Sequence, residues 1–267
     1  MTIDHKFAIK KLQKLDGFFT AFSPLTRMPY IRCDEETFDD QVYLFSSEEM
    51  CKEFVTAENE KKNPVVLMKI QQPQMNGFLN SLYALDVNMV IFRDDAGENR
   101  LELEELANRP DMEKLAKEKI PIMNPRLTLT MIYFLQELRR PIKHDMAHLR
   151  ELEEEMIANL VKSNFILAVE AMQGENSEEP TKVNLKNIKI PYIKNKEGDI
   201  YQPLYSDFSE FRKYAGPNAP KLRISSLSFY QLPQFLIKDS KGFVINPAGT
   251  NLVLTTEQIQ RIVSAYR

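Results

Sequence analysis

Glycine is scarce in this chain, and it is placed poorly for holding phosphate. Eight glycines are scattered through 267 residues with no Gly-x-Gly, so neither a Walker A loop nor a dinucleotide fingerprint is present. The Gly-x-Ser-x-Gly nucleophile elbow is also missing. There are two cysteines, Cys33 and Cys51, which make neither a disulfide framework nor a four-ligand zinc site and suit a reducing compartment. Cys51, on an expected helix with no histidine nearby in sequence, reads as a structural thiol. No apolar run approaches the ~18 residues that span a bilayer; Met131 to Leu135 is core-sized. Met1 to Phe7 lacks the apolar core and cleavage site of a signal peptide. Net charge is -3, from 35 basic and 38 acidic residues, so there is no broad attraction for nucleic acid. Acids are too numerous for any glycosidase pair to stand out. These absences point to a cytoplasmic protein that engages neither membrane nor nucleic acid.

What is present is a core-forming composition, 43% hydrophobic and 27% charged, and a repeat. Met28-Pro29-Tyr30-Ile31-Arg32 returns as Ile190-Pro191-Tyr192-Ile193-Lys194. Phe18 to Phe22 is echoed by Phe165 to Val169, and Leu44-Phe45-Ser46-Ser47 by Leu204-Tyr205-Ser206-Asp207. Pro64 to Met68 aligns with Pro220 to Ile224, and Met89 to Phe92 with Gly242 to Ile245. Order makes these weak matches persuasive together. The expected fold is α/β, mixed α+β. Two similar modules, 1–107 and 146–267, each hold a mixed sheet flanked by helices and are joined by a helical connector, 108–145. The largest insertion, Glu170 to Lys189, carries Gly174 to Pro180, which reads as an exposed, mobile loop.

Val65 to Ile70 and Phe243 to Ile245 are apolar on both faces and read as central strands. Ser46-Ser47-Glu48-Glu49 has the spacing of a capping box, and Asp207 with Glu210 repeats it. Asn246-Pro247-Ala248-Gly249 is a type I turn signal. In the connector, punctuated by Pro110, Pro121, Pro125 and Pro141, Leu127 to Leu138 reads as an apolar helix buried between or against the modules. The next helix places Met146, Leu149, Leu152, Met156, Leu160 and Val161 on one side and Glu151 with Glu153 to Glu155 on a solvated side.

His144-Asp145-Met146-Ala147-His148 is the one constellation with metal-like spacing. In a helix, four residues bring both imidazoles to one face. Asp145 stands where zinc hydrolases have a longer Glu, and Pro141 puts the pair in a first helical turn, so surface histidines are the plainer reading. Arg27 and Arg32 flank one Pro-Tyr-Ile, and Lys189 and Lys194 the other. They read as paired contacts for an anion or peptide, or as strand-end charges held in water. Tyr30 and Tyr192 are candidate partner anchors, with core or rim packing as the alternative.

The block of strand, Phe45-Ser46-Ser47-Glu48-Glu49, helix to Phe54, then Val65 to Ile70 resembles the N-terminal domain of the SseB family. The second copy fits better: Gln202 to Phe208 followed by Gly242 to Gly249 looks like that family's Thr/Ser-Asp helix start and its Gly-hydrophobic-Asn-Pro hairpin. The first copy departs from the pattern, with Met89 for the Gly and Arg93-Asp94-Asp95 for Asn-Pro. The resemblance implies a bacterial protein with no well-defined catalytic site and no active-site residues to transfer. No cofactor is expected. The expected function is a non-enzymatic interaction or regulatory role with a protein partner. The alternative is a metal-dependent hydrolase or small-ligand binder using His144 and His148. The pattern assigns no oligomeric state.

Overall fold

The computed structural model describes residues 3–108, 122–171 and 188–266. The loop expected at Gly174 to Pro180 and the prolines Pro110 and Pro121 lie outside those residues. The fold is mixed α+β. The chain divides into two compact units, Met1–Ile120 with Thr128–Glu155, and Pro121–Leu127 with Met156–Arg267. No helix among the described residues is long and apolar enough to cross a membrane.

The first unit runs α1 (Ile3–Gln13), β1 (Gly17–Ser23), β2 (Met28–Pro29), β3 (Arg32–Cys33), β4 (Asp40–Phe45), α2 (Glu48–Glu60), β5 (Val66–Gln71), α3 (Gln72–Leu82), β6 (Met89–Asp94), β7 (Gly97–Glu102) and α4 (Leu103–Leu106). Helices α5 (Pro125–Leu138) and α6 (Met146–Leu160) follow, and each contains a boundary between the units. β1 pairs antiparallel with β2, β4 and β5. β4 pairs antiparallel with β3 and parallel with β6, and β6 pairs antiparallel with β7. Side chains alternate across the sheet with period 2. Phe18, Val42, Leu44, Val90 and Phe92 go to one face, with Leu12 of α1, Leu79 of α3 and Leu129 and Ile132 of α5. Ala21, Tyr43, Phe45 and Ile91 go to the other, under Cys51 and Phe54 of α2. The apolar connector helix is thus buried in the core of this unit. Each such side chain taken from water contributes about 1.5–3 kcal/mol.

The second unit contains β8 (Asn164–Ala171), β9 (Ile188–Lys189), β10 (Ile193–Lys194), β11 (Ile200–Leu204), α7 (Phe208–Ala215), β12 (Leu222–Ser228), β13 (Ser240–Ile245), β14 (Leu252–Thr255) and α8 (Thr256–Ala265). β8 pairs antiparallel with β9 and β12 and meets the end of β11 through an antiparallel bridge, Ile166 to Tyr205. β10 pairs antiparallel with β11, β11 parallel with β13, and β13 antiparallel with β14. Strand for strand, these are the partners found in the first unit. A 3-10 stretch, Phe229–Phe235, with Pro233 inside, takes the place of α3.

The registers correct parts of the sequence alignment. Phe19 faces Phe45 as Ile166 faces Tyr205, and Leu44 faces Phe92 as Leu204 faces Ile245, in line with the matched blocks. Elsewhere the blocks are one residue out. Phe22 faces Val66, whereas Val169 faces Arg223 rather than Leu222. Gln41 faces Arg32, whereas Tyr201 faces Ile193 rather than Lys194. Counting back from Arg32 and Ile193, Pro191 stands at the place of Tyr30. A one-residue slip sends a side chain to the opposite face, and Tyr30 is 6% exposed while Tyr192 is 49% exposed.

Three local expectations also change. Among the described residues β5 pairs only with β1, which makes it an edge strand, and Val66 is exposed; β13 is central and buried as expected. An apolar run cannot by itself distinguish a covered strand from one with a free edge. The cap of α2 is Ser47, whose hydroxyl accepts from the Met50 amide, so the box does not start at Ser46. Asp207 caps α7 by accepting from the Ser209 and Glu210 amides, but Glu210 turns to Lys213. The Asn246 turn forms as expected, with the Gly249 amide donating to the Asn246 carbonyl at 2.9 Å.

Candidate functional site

Register builds the site. Gln41 and Tyr43 of β4 share a face with Ile91 and Arg93 of β6 and with Glu98 and Arg100 of β7, and Arg32 of β3 lies beside Gln41. Helix α2 covers this face over β1, β4 and β5, leaving the β6–β7 side open. The result is an open groove of about 600 Å³. Met50, Phe54, Ala57 and Glu58 of α2, with Lys61 just after it, form one wall. Arg32 and Tyr43 form the floor, and Arg93, Asp94, Gly97 and Glu98 of the β6–β7 hairpin form the opposite wall.

Glu58 is the anchor of the α2 wall. Its carboxylate is buried, and it accepts from the Tyr30 hydroxyl, Lys61 Nζ and Asn63 Nδ2, each at 2.8 Å. The Arg32 guanidinium is farther off, at 3.5 Å. Burial pushes the Glu58 carboxyl up, but the hydrogen bonds from Lys61, Asn63 and Tyr30 and the charge of Arg32 outweigh it and hold it below the usual range. Burial, reinforced by the charge of Glu58 and their hydrogen bond, pushes Tyr30 well up, so it stays a phenol. Tyr43 is also raised, chiefly by burial.

On the opposite wall Arg93 Nε donates to Glu98 at 2.5 Å while its guanidinium lies 5.8 Å from the Phe54 ring centre. Asp94 accepts from the Ala96 amide and pairs with Lys11 at 3.0 Å. At the end of the face, Asp34 accepts from the Glu36 and Thr37 amides, from Gln41 and from Arg100. The Thr37 amide and Arg100 hold its carboxyl well below the usual range. Cys51, beneath α2, is buried, and burial followed by the charge of Glu48 pushes its thiol up to about 12. The neighbourhood therefore offers fixed charges and protonated phenols and thiol, chemistry suited to holding a ligand in place.

Of the residues singled out in the sequence, Arg32 lies in the groove, and Tyr30 supports it from the interior through Glu58. Arg27 is an exposed turn residue with φ 56°. Lys189 pairs with Glu170 at 3.4 Å, and Lys194 lies over the exposed Tyr192 ring at 5.9 Å. The histidines do not share a helix face: α6 begins at Met146, so His144 precedes it. Asp145 caps the helix, its carboxylate accepting from the Ala147 amide at 2.9 Å. His144 Nδ1 sits 3.7 Å from Glu137, and His148 Nδ1 3.9 Å from Glu151. Among the described residues no group of three or more His, Cys, Asp or Glu is arranged to hold a metal ion.

Sequence reasoning missed Tyr43, Glu58, Arg93 and Glu98. The period-2 alternation of β4 and the Glu58–Lys61 spacing were the available signals, and neither identifies the hairpin wall without the pairing of β4 with β6.

No curated protein matches the chain. Two solved structures align with it at low similarity. Anabaena Tic22 (protein transport) is 12% identical over 97% of this chain and 96% of its own, with a TM-score of 0.21. Tic22 from Plasmodium falciparum is 12% identical over 96% and 95%, also with a TM-score of 0.21. Neither likeness is close enough to bear on function. The match in sequence is to a family: residues 144–261, from just before α6 into α8, match the model of the SseB protein N-terminal domain.

Proposed function

We propose that this chain is a non-enzymatic, cytoplasmic interaction protein built from two tandem SseB-like modules, and that it holds a protein partner in the groove beside α2. The groove carries the reading. It is open to solvent, and its walls carry buried and paired charges rather than an activated nucleophile. The shared order and pairing of strands in the two units support duplication of one module. The family match supports an SseB-like identity for the second.

A photo-crosslinking residue placed at Ala57, exposed on the groove wall, tests the reading in native extract, with the same probe at exposed Arg261 on α8 as control. A discrete protein adduct from position 57 alone is expected. Equal adducts from both positions, or none from position 57 together with turnover of a small molecule, reject it.

A further inference from the structure

The charges of the groove are spent unequally. Glu58 already takes three donors at 2.8 Å, Glu98 is taken by Arg93, and Asp94 by Lys11 and the Ala96 amide. Lys61 is committed to Glu58. Arg32 is different. Among the described residues its guanidinium makes one side-chain hydrogen bond, at 3.5 Å, to a carboxylate that already takes three closer donors. Its side chain is 45% exposed, so it is partly stripped of water without a close partner in exchange. Glu53, the acid of the groove with no described partner, is exposed on the α2 wall. Arg32 is exposed too, but it lies on the groove floor with its closest described partner at 3.5 Å, so a ligand lying in the groove meets the cation. A guanidinium fork matches a carboxylate with two parallel hydrogen bonds. Next to it Met50 is half-buried, and the buried Tyr43 and Phe54 also line the groove.

From this we infer that the groove takes an acidic segment of a partner protein, with an Asp or Glu side chain bound by Arg32 and a neighbouring aliphatic side chain laid against Met50. The inference rests on the groove reading above and specifies its ligand. It also confines the site to the first unit. At the matching registers the second unit has Ile193 for Arg32, Asn246 for Arg93 and Asn251 for Glu98, so the guanidinium and the ion pair opposite it are both missing there.

Fluorescence anisotropy with the full chain tests this. The probe is a labelled peptide of alternating Leu and Glu, amidated at its C-terminus. Comparison peptides replace Glu by Gln, replace Glu by Lys, or carry Gln with a free C-terminal carboxylate. The acidic peptide is expected to bind, more weakly as salt rises. Arg32→Gln should weaken it about tenfold or more, and Arg32→Lys should recover only part, because an ammonium cannot form the fork. Circular dichroism checks that both variants fold, and if Arg32→Gln does not, the peptide series on the unaltered chain decides. Equal binding of the Gln or Lys peptide, binding that needs only the free terminus, or full affinity in a folded Arg32→Gln chain overturns the inference. A crosslinked adduct at position 57 that survives Arg32→Gln would sink the acidic ligand while leaving the groove as a binding site.

Discussion

Tyr30 and Glu58 should be energetically coupled, and the size of the coupling follows from their surroundings. Both are buried, at 6% and 1% exposure, and the phenol donates to the carboxylate at 2.8 Å. Hydrogen bonds to a charged group contribute about 1.5–3 kcal/mol each. Tyr30→Phe removes one such bond and leaves Glu58 its other donors, so a loss of about 1.5–2 kcal/mol is expected. Glu58→Gln removes the charge and turns an amide N–H₂ toward groups that are themselves donors, for about 2–3 kcal/mol. Little of that comes from Lys61, whose side chain is 60% exposed. If the phenol acts through the carboxylate, the double variant should lose about 1–2 kcal/mol less than the sum of the single losses. Thermal and urea unfolding followed by far-UV circular dichroism measures all three. Additivity within about 0.5 kcal/mol would show that the bond contributes nothing and that Glu58 does not organise the wall. The pH dependence supplies a second check. The folded carboxyl lies below its ordinary 4.5, so its stabilisation is fully present above that value and is lost as pH falls through the lower folded one. The gap between the unaltered chain and Glu58→Gln should narrow in acid.

Other outcomes follow from single sites. Gly242 has φ 145°, and a Cβ there would sit 2.1 Å from the Leu254 carbonyl oxygen; Gly242→Ala should cost upward of about 2 kcal/mol, and an unchanged melting temperature would contradict the close strand approach. Native alkylation at pH 8 followed by peptide mass mapping should label exposed Cys33 and spare Cys51, whose thiol is pushed up to about 12. Asp145→Ala should cost about 1 kcal/mol by removing the α6 cap, whereas exposed His148→Ala should cost within about 0.5 kcal/mol. Added zinc should stabilise the unaltered chain and the His144→Ala/His148→Ala chain equally, and a rise confined to the unaltered chain would revive the metal reading.

Much of the architecture is legible in local signals. Turn residues at Asn246 to Gly249, a cap at Asp207 and the apolar stripe of α6 are each written within a few residues and depend on little else. Local signals fail where two positions of similar chemistry compete. Ser46 and Ser47 are equally good hydroxyl caps, and the choice between them depends on where β4 ends, which its pairing with β6 decides. Val65 to Ile70 is apolar enough for a central strand, yet among the described residues no strand pairs beyond it and it lies at an edge. The histidines miss each other for a similar reason. A carboxylate one residue after His144 is a strong cap, and capping at Asp145 starts the helix too late to include that histidine.

The amino-acid sequence by itself determined which segments become helix or strand, where several of them stop, and which side chains have to leave water, because propensity, capping and hydrophobic period act over a few residues. Tertiary structure decided the registers and, with them, the site. Arg32, Glu58 and the Arg93–Glu98 hairpin pair are far apart along the chain and meet only because β4 lies antiparallel to β3 and parallel to β6, with α2 laid over part of their shared face. Pairing is a long-range choice, and a shift of one residue reverses the face of every side chain in a strand. That is why Tyr30 and Tyr192, aligned in sequence, end in different surroundings.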